Sequence, residues 1–344
     1  MKNARKRVGS KARAREIIGR PKPLVTVLVI TLNELPHLKK VVASIRRQSI
    51  ARKVEIVVCD NGSTDGTAEW VARQGLKYYN AGRNTGTPVF NKGLALAEGD
   101  FVFIGATDMA FKRDCFERLA RHLEANSSCG MAVPLNINGN DRARVDVGGS
   151  WLSRCFYGGA VHANPGKVVG MPFSGVGLLR RSAIAAAGGF IYEPSFFIYA
   201  EDVELGFRLD RAGFSTQLLP TAVLYHYGYQ ARKIFTPFQL TCRIERNMLV
   251  TMLTHLPKRF LLFSLPYAVL MRLLVTLKDL ARRDWQRARA RLWVLFSLPA
   301  IIFDAAKHRN ALSQTLKNPW RHDYFGRGVF DERPVWRIFF SYMR

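Results

Sequence analysis

Acidic residues are scarce in this sequence, and so are the short signatures that announce a metal, a disulfide or a phosphate loop. Of 344 residues, 26 are Asp or Glu against 52 Lys or Arg, a formal net charge of +26. An excess of that size calls for an anionic partner: nucleic acid, anionic lipid or a phosphorylated substrate. The five cysteines, Cys59, Cys115, Cys129, Cys155 and Cys242, form no CxxC pair. That argues against a disulfide framework or a zinc site and leaves reduced thiols. The seven histidines make no HExxH, so a zincin-type centre is excluded. There is no GxxxxGK(S/T), and no GxGxxG follows the first apolar run, so glycine-loop amides alone do not cradle a nucleotide. Zinc fingers, RNP-like aromatic strands and acid-free basic helices are also missing, which argues against nucleic acid as the partner.

What is present is ordered along the chain. Residues 1–23, "MKNARKRVGSKARAREIIGRPKP", set nine basic side chains against Glu16 alone and have no apolar h-region. They read as a disordered basic tail rather than a secretory signal, attracted to an anionic leaflet by about 1 kcal/mol per basic residue near the surface. From Leu24 a different texture begins. "LVTVLVI" is a continuous, largely β-branched run, the mark of a strand buried on both faces. Asn33 and Pro36 suit the start of a helix, with Leu38, Val41, Val42 and Ile45 at helical spacing. "VEIVVCD", a helix over 67–73, "LKYYN", a helix over 88–97, "DFVFIGATD" and a helix over 114–125 follow. This alternation predicts an α/β domain with a mostly parallel sheet, over residues 24–230.

In such sheets ligands bind beyond the C-terminal ends of the strands. The predicted ends deliver Thr31-Leu32-Asn33, Asp60-Asn61 and Thr107-Asp108 to one edge. Acidic strand ends suit a divalent cation holding phosphates, because hard cations take oxygen ligands. Each acid has a plain structural alternative. Asp60 and Asp108 can serve turns, and His226 in "LYHYGY" can be a satisfied core histidine. Glu201-Asp202 follows the large apolar run "FFIYA". A buried carboxylate is costly unless it is paired, hydrogen-bonded or used, although both acids could simply favour a helix N-terminus.

Residues 231–344 differ again. "FLLFSLPYAVLMRLLVTL" (260–277) and "LWVLFSLPAIIF" (292–303) are apolar, share Phe-Ser-Leu-Pro, and flank the basic "KDLARRDWQRARAR". Arg272 interrupts the first and the second is short of the roughly 20 residues of a span. They read as two amphipathic helices lying in a membrane interface, basic side chains toward the headgroups, the alternatives being core helices packed on the catalytic domain and a re-entrant or spanning hairpin. The ending "NPWRHDYFGRGVFDERPVWRIFFSYMR" is aromatic and basic, which suits the same interface.

Seven stretches taken together resemble glycosyltransferase family 2 with its GT-A fold, nearest to bacterial rhamnosyltransferase-like members. They are "VTVLVITLNE", "VEIVVCDNGSTDGT", "NTGTPVFNKGLALAEGD", "FVFIGATDM", "PFSGVGLLRRSAIAAAGGF", "FFIYAEDVELGFRLDRAGF" and "LYHYGY", with a weaker continuation in "RIERNMLVTMLTHLP". The resemblance implies inverting transfer of a sugar, in some members rhamnose, from a nucleotide-diphosphate donor. It assigns Asp202 as general base with Glu201 beside it. Thr31, Asn33, Asp60, Asn61, Thr107, Asp108, Ser174 and Gly175 would meet the nucleotide sugar. Asp108 and His226 would hold Mg²⁺ or Mn²⁺. A polyprenyl-linked glycan acceptor and an anionic membrane surface, at the cytoplasmic face, complete the expectation. Two residues depart from the family pattern: Ala106 stands at the first acidic position of DxD, and Leu32 replaces the usual aromatic. Ala106 keeps open a catalytically impaired scaffold as the alternative.

Overall fold

The computed structural model describes residues 24–228, 235–316 and 331–333. The basic tail at 1–23, the proposed domain border at 230, and most of the aromatic ending fall outside the described residues.

The first half alternates as read. It comprises β1 (Val25–Thr31), α1 (Leu35–Arg46), β2 (Val54–Asp60), α2 (Thr67–Arg73), β3 (Lys77–Asn80), α3 (Val89–Leu96), β4 (Phe101–Ala106), β5 (Met109–Phe111) and α4 (Cys115–Ala125). Then come β6 (Cys129–Asn138), β7 (Val145–Val147), β8 (Ser150–Leu152), β9 (Gly158–Ala160), β10 (Val169–Gly170), β11 (Gly177–Arg180), α5 (Arg181–Ala186), α6 (Glu201–Arg211) and β12 (Ser215–His226). Four helices follow: α7 (Pro237–His255), α8 (Lys258–Ala281), α9 (Trp285–Phe296) and α10 (Leu298–Thr315).

Ten strands form one sheet, along the order β10-β12-β6-β11-β4-β1-β2-β3, with β5 on β12 and β7 on β6. The pairs β4–β1, β1–β2 and β2–β3 are parallel, so their C-terminal ends share one edge. β11 runs antiparallel between β4 and β6. Both faces are covered. Val25, Val27 and Val29 pack with Leu38, Val41 and Ile45 of α1 on one side, while Leu28, Val57 and Cys59 meet Val89 and Phe90 of α3 on the other. Burial on both faces explains the unbroken apolar strands; each such side chain contributes about 1.5–3 kcal/mol.

A third core joins α6 to the helical region, where Val203 and Phe207 meet Leu249, Met252 and Met271. Here the polarity of α8 is inverted. Its buried positions are Ser264, Ala268, Met271, Arg272, Thr276 and Asp279. Leu262, Phe263 and Leu277 are exposed, Phe263 by 78%. The two Phe-Ser-Leu-Pro copies also diverge. Pro266 sits inside α8, whereas Pro299 opens α10 after a break at Ser297. The apolar run 292–303 is therefore two helix ends rather than one helix.

Candidate active site

The register of the parallel strands places Thr31 beside Asp60, and Asp60 beside Asn80. Ile30 pairs Ala106, so Thr107 and Asp108 leave β4 at the same edge. Gly177 of β11 lies opposite Ile104, running the other way. The segment before it, Ser174-Gly175, therefore emerges beside Ala106. Asp202 closes the circle: a Cβ on Gly175 would stand 3.8 Å from its Oδ2. His226 pairs Met109 across β5–β12, which brings it to Asp108. Topology alone thus gathers residues distant in sequence at one edge.

The donor side is held by hydrogen bonds. Asp60 is fully buried; it accepts from the Ser63 amide (2.9 Å), the Ser63 hydroxyl (2.7 Å) and the Tyr78 hydroxyl (2.6 Å). Burial and the Asp60 carboxylate push the Tyr78 phenol upward, so it stays a donor. The Asn61 side chain serves the protein itself: its Oδ1 accepts from the Thr85 amide at 3.0 Å and hydroxyl at 2.9 Å, and its Nδ2 donates to Gly86 O at 3.1 Å. Asn33 is not the helix cap read from the sequence. It adopts φ 53, a left-handed conformation that Asn tolerates, and Glu34 takes the cap position without a side-chain cap bond. Asn33 Oδ1 accepts from the Thr64 amide at 2.8 Å, stapling the first loop to the second. The Ser174 hydroxyl turns into its own turn, donating to Val176 O at 2.8 Å. The Thr31 hydroxyl is buried without a partner among the described residues.

At the centre, Asp108 Oδ2 lies 3.2 Å from His226 Nε2, and Asp146 Oδ2 lies 3.6 Å from Nδ1. The Asp108 hydrogen bond, opposed by burial and aided by Asp146, raises the imidazole above its ordinary value. Thr107 donates to Glu34, whose carboxyl burial raises, with Asp108 adding to the rise. Glu34, Asp146 and Tyr78 carry no signature in the sequence; only the fold brings them here.

These groups fit a divalent cation in one arrangement. Among the described residues no cluster of three or more His, Cys, Asp or Glu is placed to hold a metal. Yet Asp108 Oδ1 is buried and lacks a partner. The 3.2 Å between Asp108 Oδ2 and His226 Nε2 is close to the spacing of adjacent ligands at metal–ligand bonds of about 2.1 Å. Mg²⁺ and similar ions commonly use one or two carboxylates plus substrate phosphates. Two protein ligands and a diphosphate would suffice, which accommodates Ala106.

The acidic pair opens α6. Glu201 is buried with Oε2 unpartnered, and its carboxyl is raised by burial and by the neighbouring Asp202. Burial also raises Asp202, which accepts from the Val203 amide at 2.9 Å. No lysine or arginine among the described residues pairs with either. Arg208 instead meets Glu204 at 2.8 Å and donates to the carbonyls of Ala187 and Phe190. Asp202 therefore has the environment of a proton acceptor: raised, unpaired and open at Gly175.

Residues 26–185, a little under half of the chain, match the family model described as Glycosyl transferase family 2, and the chain is a glycosyltransferase with a GT-A-like fold. One relative is the N-acetylglucosaminyl-diphospho-decaprenol L-rhamnosyltransferase of Mycobacterium tuberculosis (strain CDC 1551 / Oshkosh), 27% identical over 239 residues, which cover 59% of this chain and 76% of the relative. Among solved structures, GalNAc-T7 with UDP, GalNAc and Mn²⁺ aligns with a TM-score of 0.58 and 16% identity, over 68% of this chain and about half (49%) of that one. The mannosyltransferase PcManGT from Pyrobaculum calidifontis, in complex with GDP-Man and Mn²⁺, aligns with a TM-score of 0.50 and 19% identity over 98% of this chain and 92% of that one.

Proposed function

We propose that the protein transfers a sugar, with rhamnose the leading candidate, from a nucleotide-diphosphate donor to a polyprenyl-diphosphate-linked glycan at the cytoplasmic face of the membrane, with inversion. The observation that carries the reading is Asp202: a half-buried carboxylate with no cationic partner among the described residues, facing Gly175 at the edge where Asp60 and Asp108 end their strands. Inversion needs one base to take the acceptor hydroxyl's proton during in-line attack, and a base raised toward neutrality is well matched to it. Glu201, raised by burial and by Asp202, favours its neutral form and so adds less charge that would repel the donor. Asp60, held by Ser63 and Tyr78, and the Asn61-braced loop at 85–86 shape the nucleotide side. Asp108 and His226 would hold Mg²⁺ or Mn²⁺, which supplies Lewis-acid stabilisation of the charge on the departing diphosphate. The rhamnosyltransferase relative, whose printed name carries a decaprenyl diphosphate, supports the acceptor class.

Membrane contact is supported by the inverted helices. α8 is long and apolar enough to cross a bilayer by length and composition, but its Arg272 and Asp279 face the protein interior. The side chains Leu262, Phe263, Trp293, Phe296 and Phe303 are exposed, as suits helices lying in the interface beside Lys and Arg. The test measures nucleotide-diphosphate release from thymidine- and uridine-diphosphate sugars, with and without Mn²⁺, using a decaprenyl-diphosphate-linked N-acetylglucosamine acceptor in anionic vesicles. Acceptor-dependent release with the protein bound to the vesicles is expected. Release unaffected by the acceptor would overturn the transfer reading, and protein left wholly in the aqueous fraction would overturn the membrane reading.

A further inference from the structure

We propose that Asn247, on α7 in the helical region, is a positioning residue that holds the backbone of the loop presenting Asp202. The inference rests on Asp202 being the base. The loop preceding α6 contains two consecutive left-handed residues with side chains, Tyr199 at φ 71 and Ala200 at φ 64. Such residues are unfavourable singly and persist in succession only where the surroundings over-determine them. Two sets of contacts do so. On one side the Thr87 amide donates to Phe197 O at 2.9 Å, and a Cβ on Gly86 would fall 1.8 Å from that same oxygen. Only glycine permits this approach, which welds the base loop to the donor-side loop braced by Asn61.

On the other side stands Asn247, 3% exposed. Its Nδ2 donates to Tyr199 O at 2.9 Å and Ile198 O at 3.3 Å. Its Oδ1 accepts from Arg246, which is itself paired with Asp304 at 2.9 Å. The orientation of the amide is therefore fixed from behind, with the donor end toward the loop. One turn earlier on α7, the Arg243 guanidinium lies 5.5 Å over the Phe197 ring. Helix α7 thus grips the loop at Phe197, Ile198 and Tyr199, immediately before the acidic pair. Two ionisable groups lie close enough to the Asp202 carboxylate to feel its charge: Glu201, next to it in the chain, and Tyr192, whose hydroxyl donates to Gly175 O at 3.2 Å. Neither replaces the grip of Asn247 on the backbone. Both Asp202 and Asn247 lie beyond the segment 26–185 matched by the family model.

The experiment compares full-length wild type with Asn247→Ala, the isosteric Asn247→Asp, and Asn247→Ala combined with Ala200→Gly. Amide hydrogen exchange of residues 198–204 is followed without substrates. Then kcat, donor KM and the pH profile are measured with the donor and vesicle-borne acceptor that the wild type uses. In Asn247→Ala and Asn247→Asp, exchange in this segment is expected to speed up at least about tenfold. The kcat is expected to fall by about 10- to 100-fold, with donor KM within about twofold, as for a base displaced by an ångström or less. The acid limb of kcat should move from about 6 toward the ordinary carboxylate value near 4 as the loosened site admits water. Ala200→Gly should restore part of kcat in the Asn247→Ala background, because glycine takes a positive φ without penalty; a general packing defect would not respond. Unchanged exchange at 198–204, or lost kcat with an unmoved acid limb and no recovery by Ala200→Gly, would overturn the proposal. Should the wild type itself transfer no sugar, the reading of Asp202 as a base fails, and the exchange measurement still decides whether Asn247 holds the loop.

Discussion

The helical region and the cleft both bury carboxylates, and they treat them oppositely. In the helical region Glu245 meets Arg272 and Arg291, each at 2.9 Å, and Asp279 also pairs with Arg291. Glu204, where α6 packs on α7, has Arg208 at 2.8 Å and His255 at 3.2 Å. Burial alone would raise Glu204, but Arg208 and His255 hold it below its ordinary value. Two residues earlier on the same helix, Asp202 has no such partner and is raised. A charge matched inside the protein fixes packing; a charge left unmatched is kept available for a proton. Asp60 takes a third course, fully buried but satisfied by three neutral donors.

The sharpest way to break this contrast is Asp202→Asn. Transfer should fall at least about 1,000-fold, or about 4 kcal/mol of transition-state stabilisation, while calorimetric donor affinity stays within a few fold. The melting temperature should not drop, since the substitution removes a half-buried charge that no cation compensates. Turnover within tenfold of wild type would erase the distinction. Glu245→Ala is the converse experiment. It strands Arg272, leaves Arg291 to Asp279 alone, and should cost about 3–5 kcal/mol in denaturant unfolding, while kcat per folded molecule is retained; an unchanged midpoint would show that the pairing does not hold the region together.

A finer probe is pH. With Asp202 as the proposed base its ionised form is the active one, so kcat should fall about tenfold per pH unit below about 6. Stability carries the opposite sign. The folded-state value lies above the unfolded one near 4, so the native state binds more protons in that window and loses this contribution as pH rises from about 4 through about 6. The smallest effect should come from Glu201→Gln: burial rather than Glu201 raises Asp202, so the kcat limb should stay within a fraction of a pH unit of wild type. A larger shift in either direction would show that the charge of Glu201 acts on Asp202.

Much of the sheet was legible because a strand buried on both faces leaves a run such as "VEIVVCD", which matches β2 (Val54–Asp60) end to end. The strand-end acids were legible for the same reason: Asp60 and Asp108 fall where parallel strands stop. Short antiparallel pieces were not, since three residues such as Val145–Val147 bury too little to mark themselves, and Asp146 went unseen with them. Asn33 misled because its side chain suits a helix cap and a left-handed turn equally well. The Glu201-Asp202 pair was noticed through the cost of burying acid behind aromatics. What held it was hidden, since Asn247 sits on another helix and its bonds are to main-chain carbonyls, which carry no residue-type signal.

If the outward Leu262, Phe263 and Phe296 seat the protein on a bilayer, as proposed, there is a kinetic consequence. Enzyme and lipid-borne acceptor would then meet by lateral diffusion, with encounter frequency set by the number of acceptors per unit of surface rather than per unit of volume. Diluting a fixed amount of acceptor into more lipid should slow the reaction as effectively as removing acceptor, with the aqueous volume unchanged.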